Sequence, residues 1–167
     1  MTGGGVPEAE VVLRAARPDE ADELTELALR SKAHWGYDDA FMAACRAELT
    51  LPADAVAARR TTVALDRATG RVIGLVTLEG GAPEAVLGML FVDPAAMGRG
   101  AGRLLYEHAV AVAAGLGCAR ISIDADPNAE PFYRAMGAVT VGRVPSGSIA
   151  GRTLPQMTAE VPGVRAY

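Results

Sequence analysis

The sequence predicts a mixed α/β domain of the α+β kind, with a central, mostly antiparallel sheet of about seven strands flanked by helices. Short runs of alternating or continuous apolar residues, typical of strands, are separated by turns containing glycine or proline. Other stretches repeat apolar residues at helical spacing. One strand, loop, helix and strand in the middle of the chain form a right-handed βαβ unit, so one strand pair is expected to be parallel.

The first part of the chain predicts one strand and two helices. A strand begins at Val11, and Pro18-Asp19 opens a helix that runs through ADELTELALR. Asp38 or Asp39 caps a second helix, on which Cys45 falls at a core position.

The rest of the chain predicts the remaining strands and helices. TTVALD and RVIGLVTL form a hairpin around RATG, and the strand EAVLGMLFV leads through a glycine-rich loop into the helix GRLLYEHAVAVAAGL. The strand ARISIDA, the short helix AEPFYRAMG and two final strands follow. The predicted order is β-α-α-β-β-β-α-β-α-β-β.

Length and composition predict a single domain. The chain has 167 residues, of which 50% are hydrophobic and 22% charged, and it carries a net charge of -4. Residues 1–10 are expected to be a disordered tip and residues 11–167 one domain. The negative charge argues against nucleic-acid binding, and no apolar run reaches the roughly 18 residues of a membrane span. The start of the chain does not resemble a signal peptide, and neither of the two cysteines has a CxxC partner, so a cytoplasmic protein is expected.

Three glycines at alternate positions precede the long helix, in the stretch MGRGAGRLL from Met97 to Leu105. Glycine allows close backbone approaches that a Cβ forbids, and a helix N-terminus offers unpaired N–H groups that favour an anion. The loop therefore favours a phosphate site. It is not a P-loop, because it lacks the lysine of GxxxxGK[ST]. A dinucleotide fingerprint also fails, since Arg103 occupies the third glycine position.

The segments LFVDPAAMGRGAGRLL and PNAEPFYRAMGA resemble the GCN5-related N-acetyltransferase (GNAT) superfamily. The loop pattern of that family, [RQ]-x-x-G-x-[GA], is matched at Gly100 and Gly102, whereas Met97 stands where arginine or glutamine is usual. The resemblance implies the GNAT fold, acetyl-CoA as co-substrate, no metal, and direct transfer of an acetyl group to an amine. It also implies that the loop binds the pyrophosphate and that the preceding strand pairs with the pantetheine.

The same resemblance, together with the arginine side chains that flank the glycines, gives the candidate coenzyme-binding residues. They are Leu90, Phe91, Val92, Met97, Gly98, Arg99, Gly100, Ala101, Gly102, Arg103, Asn128 and Tyr133.

Tyr133 is the candidate acid for the leaving thiolate. A tyrosine hydroxyl near sulfur can donate a hydrogen bond or a proton to it, although packing of the short helix onto the sheet is the alternative. Gly88 suggests a β-bulge in the central strand or simply relief of crowding. Glu79 and Glu84 are the candidate general bases, with water as the alternative.

His34, Trp35 and Tyr37 cluster between the first two helices and are the candidate acceptor-binding residues. Anchoring of that loop is the alternative. His108, beside an apolar stripe, is expected to be structural, and Cys118 has no adjacent base that would make it a nucleophile.

The function expected from the sequence is that of an acetyl-CoA-dependent N-acetyltransferase acting on a small-molecule amine. Two alternatives remain: a non-catalytic CoA-binding sensor or scaffold of the same fold, and an enzyme that acetylates protein N-termini or lysines. Neither a nucleic acid nor a membrane is expected as a partner, and a homodimer is possible.

Overall fold

A computed structural model describes residues 10–163, so most of the expected N-terminal tip lies outside the described residues. The strands are β1 (Val11–Ala15), β2 (Thr62–Asp66), β3 (Val72–Gly81), β4 (Glu84–Val92), β5 (Arg120–Asp124), β6 (Val139–Pro145) and β7 (Thr153–Glu160). The helices are α1 (Ala21–Ala33), α2 (Asp39–Leu49), α3 (Ala101–Gly115) and α4 (Glu130–Ala135). This order confirms the predicted fold class.

The seven strands form one sheet in the order β1-β2-β3-β4-β5-β7-β6. The pair β4–β5 is parallel and the other pairs are antiparallel. The helix α3 connects the two parallel strands, as the predicted βαβ unit requires. The carboxyl ends of β4 and β5 therefore point to the same edge of the sheet.

Apolar side chains cover both faces of the sheet. On one face Leu24 and Leu27 of α1 pack with Leu75 of β3. On the other face Leu105 of α3 packs with Val76, the neighbour of Leu75. Neighbouring residues of β3 therefore contribute to the apolar cores on both faces of the sheet, because successive side chains of a strand point to opposite faces. Cys45 and Cys118 are buried free thiols.

An ion pair fixes β1 to the start of α1. Arg14 donates two hydrogen bonds of 2.8 Å to the two carboxylate oxygens of Glu20, which also accepts from the backbone N–H of Arg17. These hydrogen bonds from Arg14 are the main reason that the pKa of Glu20 falls to about 2, although burial opposes the shift. Within residues 10–163, no helix has the length and apolar character needed to cross a membrane.

We expect Leu105→Ala to lower the free energy of unfolding by about 2–5 kcal/mol, because it leaves a cavity in a fully buried site. The neighbouring Leu104 is 38% exposed, so Leu104→Ala is the matched control and should change the free energy of unfolding by about 0.5 kcal/mol. Chemical denaturation of both variants tests the assignment of the α3 inner face. Equal losses would contradict it.

We expect the stabilisation from Glu20 to depend on pH. Its pKa in the folded state lies below the ordinary 4.5, so the contribution is complete above that pH and is lost as the pH falls to about 2. Glu20→Gln should therefore lower the free energy of unfolding by about 1–3 kcal/mol at pH 7 and by much less near pH 2.

The control is Glu26→Gln, which removes an exposed ion pair to Arg46 and should have little effect at either pH. A Glu20→Gln penalty that stays constant across this pH range would contradict the prediction.

Candidate active site

The strands β4 and β5 pair over only three residues each and then separate. Glu84–Val86 pair with Arg120–Ser122, whereas β4 continues to Val92 and β5 to Asp124. The edge of β4 beyond Val86 therefore has no strand beside it on the β5 side. A cleft of about 480 Å³ opens at this point and is lined by both strands, by the glycine loop, by α1 and α2, and by the loop of residues 146–152.

A β-bulge at Gly88 interrupts the pairing of β3 with β4. Thr77 pairs with Met89 and Leu78 with Leu87, so Gly88 is the extra residue. The hydroxyl of Thr77 accepts a 2.8 Å hydrogen bond from the Met89 backbone N–H. A Cβ on Gly88 would meet the carboxylate of Glu79 and lie 2.9 Å from the hydroxyl oxygen of Thr77, so these side chains would have to shift to admit one. The two interpretations of Gly88, a β-bulge and relief of crowding, therefore both apply to this residue.

The glycine loop forms the start of α3 at one end of the cleft. Gly98 and Gly100 have φ values of 85° and 80°, in the left-handed region that favours glycine. Gly100 is the N-cap of α3 and has no side chain to accept from the first N–H groups of the helix. These groups are thus available to an anion in the cleft.

Tyr133 is buried in α4 with its ring against Phe132 and Tyr106. Its hydroxyl makes no hydrogen bond to another described residue, and the side chain lines the cleft. Burial, with a smaller contribution from Tyr106 and Asp126, raises the pKa of Tyr133 well above its usual range. The hydroxyl therefore stays protonated and can donate to a group in the cleft.

Asp126 lines the cleft and connects four side chains. Its carboxylate accepts hydrogen bonds from Tyr37 at 2.9 Å and from Asn128, and forms ion pairs with Lys32 at 3.4 Å and Arg152 at 3.5 Å. Burial acts to raise the pKa of Asp126, but the hydrogen bonds from Asn128 and Tyr37 and the charge of Lys32 outweigh it. The pKa of Asp126 consequently lies below its usual value.

The hydroxyl of Tyr37 makes three hydrogen bonds with Asp126, Asn128 and Arg152, and we call these four residues with Lys32 the Asp126 cluster. It donates to Asp126 and accepts from Asn128 at 2.9 Å and from Arg152 at 2.6 Å. The ring stacks on Phe41 with 4.0 Å between centroids, and the Arg152 guanidinium lies over both rings. The loop between α1 and α2 is therefore fixed to the segment that follows β5 and to the loop of residues 146–152.

The family model described as the Acetyltransferase (GNAT) family matches residues 21–138, more than half of the chain. The chain belongs to this family. It is therefore a GNAT acyltransferase, as the sequence motifs predicted. A search of curated proteins gave no significant match.

Solved structures share the fold. A GCN5-related N-acetyltransferase from Rhodopseudomonas palustris is 24% identical, covers 94% of this chain and 99% of its own, and has a TM-score of 0.75. PaiA N-acetyltransferase from Thermoplasma acidophilum, in complex with coenzyme A, is 17% identical over 90% of this chain and 98% of its own, with a TM-score of 0.74. YncA from Salmonella typhimurium, with its cofactor acetyl-CoA, is 18% identical over 94% and 97%, with a TM-score of 0.66. At these identities, the similarity establishes the fold alone.

Most of the candidate coenzyme-binding residues line the cleft of this GNAT enzyme. The exception is Arg99, whose guanidinium turns away to Asp66 at 2.9 Å. Arg103 lines the cleft but is exposed and also pairs with Glu107 at 2.9 Å. The candidates that line it are Leu90, Phe91, Val92, Met97, Gly98, Gly100, Ala101, Gly102, Arg103, Asn128 and Tyr133.

The two candidate bases lie less favourably than the sequence suggested. Glu84 begins β4 at the closed end of the strand pair, where it forms an ion pair with Arg120, and it does not line the cleft. The carboxylate of Glu79 lies over Gly88 but pairs with Arg59 at 3.5 Å. Among the described residues, no group of three or more His, Cys, Asp or Glu could hold a metal ion.

The candidate acceptor-binding residues separate into three environments. Trp35 lines the cleft and is 47% exposed, and Tyr37 belongs to the Asp126 cluster. His34 lies outside the cleft lining, edge-on to Trp35. His108 hydrogen-bonds Thr62 at 3.1 Å, which fits its expected structural role.

Sequence reasoning missed five charged residues of the cleft. They are Lys32, Glu48, Asp124, Asp126 and Arg152. Lys32 is the sole lysine of the chain, which was the one available signal. The others gave no local pattern, because partners such as Lys32 and Asp126, or Glu48 and Ser148, lie far apart in the sequence.

Proposed function

We propose that this GNAT enzyme transfers the acetyl group of acetyl-CoA directly to a primary amine of a small molecule, with both substrates bound in one complex. One observation carries the proposal. The start of α3, the unpaired edge of β4 and the unpartnered hydroxyl of Tyr133 all line the same cleft.

Backbone groups of the glycine loop and β4 would bind acetyl-CoA. The unpaired N–H groups at the start of α3 suit the pyrophosphate, and the unpaired edge of β4 suits the amide-containing pantetheine, which can add to the sheet like a strand. Met97 in place of arginine or glutamine removes a side-chain contact and leaves these backbone groups intact. PaiA was solved with coenzyme A and YncA with acetyl-CoA, which supports the same ligand here.

In the proposed reaction the amine nitrogen attacks the thioester carbonyl carbon, and the carbon–sulfur bond breaks. A backbone N–H on the unpaired edge of β4 stabilises the carbonyl oxygen as charge develops on it. The hydroxyl of Tyr133, which stays protonated, donates a hydrogen bond to the departing sulfur. Water in the cleft takes the proton of the amine, since Glu84 lies outside the cleft and Glu79 is paired with Arg59.

The dimensions of the cleft support a small acceptor. The cleft has a volume of about 480 Å³, which the coenzyme and the acceptor would share. Residues of α1, α2 and the loop of residues 146–152 line the part left for the acceptor. The limited space favours a free small molecule over a protein N-terminus or lysine as the acceptor.

Calorimetric titration tests coenzyme binding. The protein should bind acetyl-CoA and CoA but not NADH or ATP. Thiol release from acetyl-CoA in the presence of a panel of amines then tests the transfer. Binding of CoA compounds without amine-dependent thiol release would contradict the enzymatic proposal and favour a CoA-binding sensor.

We expect Gly100→Val to weaken acetyl-CoA binding at least tenfold, because its side chain distorts the N-cap of α3 and obstructs the approach of the pyrophosphate. The matched control is Gly70→Val in the β2–β3 turn, where φ is 71°. Both variants should lose about 1–2 kcal/mol of stability from the left-handed conformation. Unchanged acetyl-CoA affinity in Gly100→Val would contradict the loop assignment.

We expect Tyr133→Phe to lower kcat about a hundredfold and to leave the Kd of acetyl-CoA largely unchanged, since only the proton donor is lost. Tyr106→Phe is the control, because Tyr106 is also buried, lies 6.1 Å from the Tyr133 ring and does not line the cleft. If Tyr133→Phe has the same kcat as wild type, the catalytic role of the hydroxyl is contradicted and Tyr133 only packs α4 onto the sheet.

A further inference from the structure

Charges of both signs line the part of the cleft formed by α1, α2 and the loop of residues 146–152. We name this part the acceptor end and define it by Lys32, Glu48, Ser148 and Arg152, all of which line the cleft. These residues come from α1, α2 and the loop of residues 146–152. Their charges and unused hydrogen-bonding groups restrict what the acceptor end can bind.

The positive charge at the acceptor end exceeds what Asp126 neutralises. Lys32 and Arg152 are 13% and 17% exposed, and both form ion pairs with the same carboxylate oxygen, at 3.4 Å and 3.5 Å. Two largely buried cations thus share one anion. A carboxylate entering from the cleft would balance the remaining charge.

Both cations also have unused donors. Lys32 makes its ion pair without a hydrogen bond to any described residue. Arg152 donates from only one terminal nitrogen, Nη2, to Tyr37 and Asp126. Partly buried N–H groups beside a cleft gain free energy from an acceptor oxygen, and an arginine fork and an ammonium both suit a carboxylate.

Glu48 supplies a negative charge from an exposed position on α2. Its carboxylate accepts a 2.8 Å hydrogen bond from the hydroxyl of Ser148 and forms no ion pair with any described residue. Ser148 thereby orients a carboxylate that lines the cleft and lacks a counter-ion. An ammonium group is the complementary ligand.

The two charged groups are held by one loop. The backbone N–H of Ser146 bonds the carbonyl of Arg152 at 2.7 Å, and the hydroxyl of Ser146 lies 3.5 Å from that of Ser148. Glu48 nevertheless pairs with neither cation. Groups of both signs therefore line the same cleft without pairing with each other.

We propose that the acceptor is a free amino acid, whose ammonium group binds Glu48 and whose carboxylate binds Lys32 and Arg152. Trp35, Leu49 and Leu154 line the same cleft and provide apolar surface for the rest of the molecule. This inference rests on the proposed acetyltransferase function, because the amine held by Glu48 is the one that becomes acetylated.

The first experiment uses ligands only. Wild-type protein saturated with CoA is titrated calorimetrically with each of the twenty standard L-amino acids. The best binder is then compared with its amino alcohol, which lacks the carboxylate, and with the acid that lacks the amino group. Each truncated ligand should bind roughly tenfold to a hundredfold more weakly, since each loses one charged hydrogen-bonded contact.

The second experiment assigns each contact to a residue. In Glu48→Gln the amino acid should bind no better than the acid without the amino group. In Lys32→Gln the preference of the protein for the amino acid over the amino alcohol should fall at least fivefold. Glu26→Gln, an exposed α1 residue outside the cleft lining, is the control and should bind all three ligands as wild type does.

Three results would overturn the inference. They are no binding of any standard amino acid to the CoA complex, binding of a truncated ligand as tight as the intact one, and unchanged discrimination in both variants. The comparison of the three ligands uses wild-type protein, so it tests the inference even if a variant fails to fold. Failure to bind CoA would instead overturn the proposed function, whereas CoA binding without amino acid binding would overturn the inference alone.

Discussion

The separation of β4 from β5 is the constraint on which the rest of the structure depends. Two parallel strands that begin side by side at Glu84 and Arg120 part after Val86, although backbone groups in a sheet interior are normally paired. The chain connects them through α3, whose packing onto the sheet fixes the glycine loop at the open end. An unpaired strand edge and a helix N-terminus are thereby brought to one cleft.

Side chains then make the two ends of this cleft different. At the glycine loop the first N–H groups of α3 have no side-chain cap. At the acceptor end, charged side chains come from α1, α2, the segment after β5 and the loop before β7, and Asp126 connects three of these four parts of the chain. Under the proposed function, the first part would bind the coenzyme and the second would discriminate among acceptors.

The fold could be predicted from the sequence because periodicity and turn residues are local signals. The helical spacing of Cys45 predicted that it lies in the core, where it is buried, and glycines and prolines marked the loops. The glycine loop and Tyr133 were predicted as cleft residues because a contiguous motif carries each of them, and both line the cleft. Lys32, Glu48, Asp126 and Arg152 were not predicted, since their contacts form only by tertiary packing between elements about a hundred residues apart. Glu84 was predicted as a base but does not line the cleft. Its position in the sequence did not indicate that it would form an ion pair with Arg120 where β4 and β5 begin.

The position of Lys32 has a consequence for chemical labelling. As the sole lysine in the chain, it is the one side-chain target for reagents that acylate primary amines, apart from the terminal amino group. It is 13% exposed, faces the cleft and is paired with Asp126. A bound molecule at the acceptor end would cover it. The extent of lysine modification, read as a mass increment on one peptide, therefore reports occupancy of the cleft without any knowledge of what the enzyme turns over.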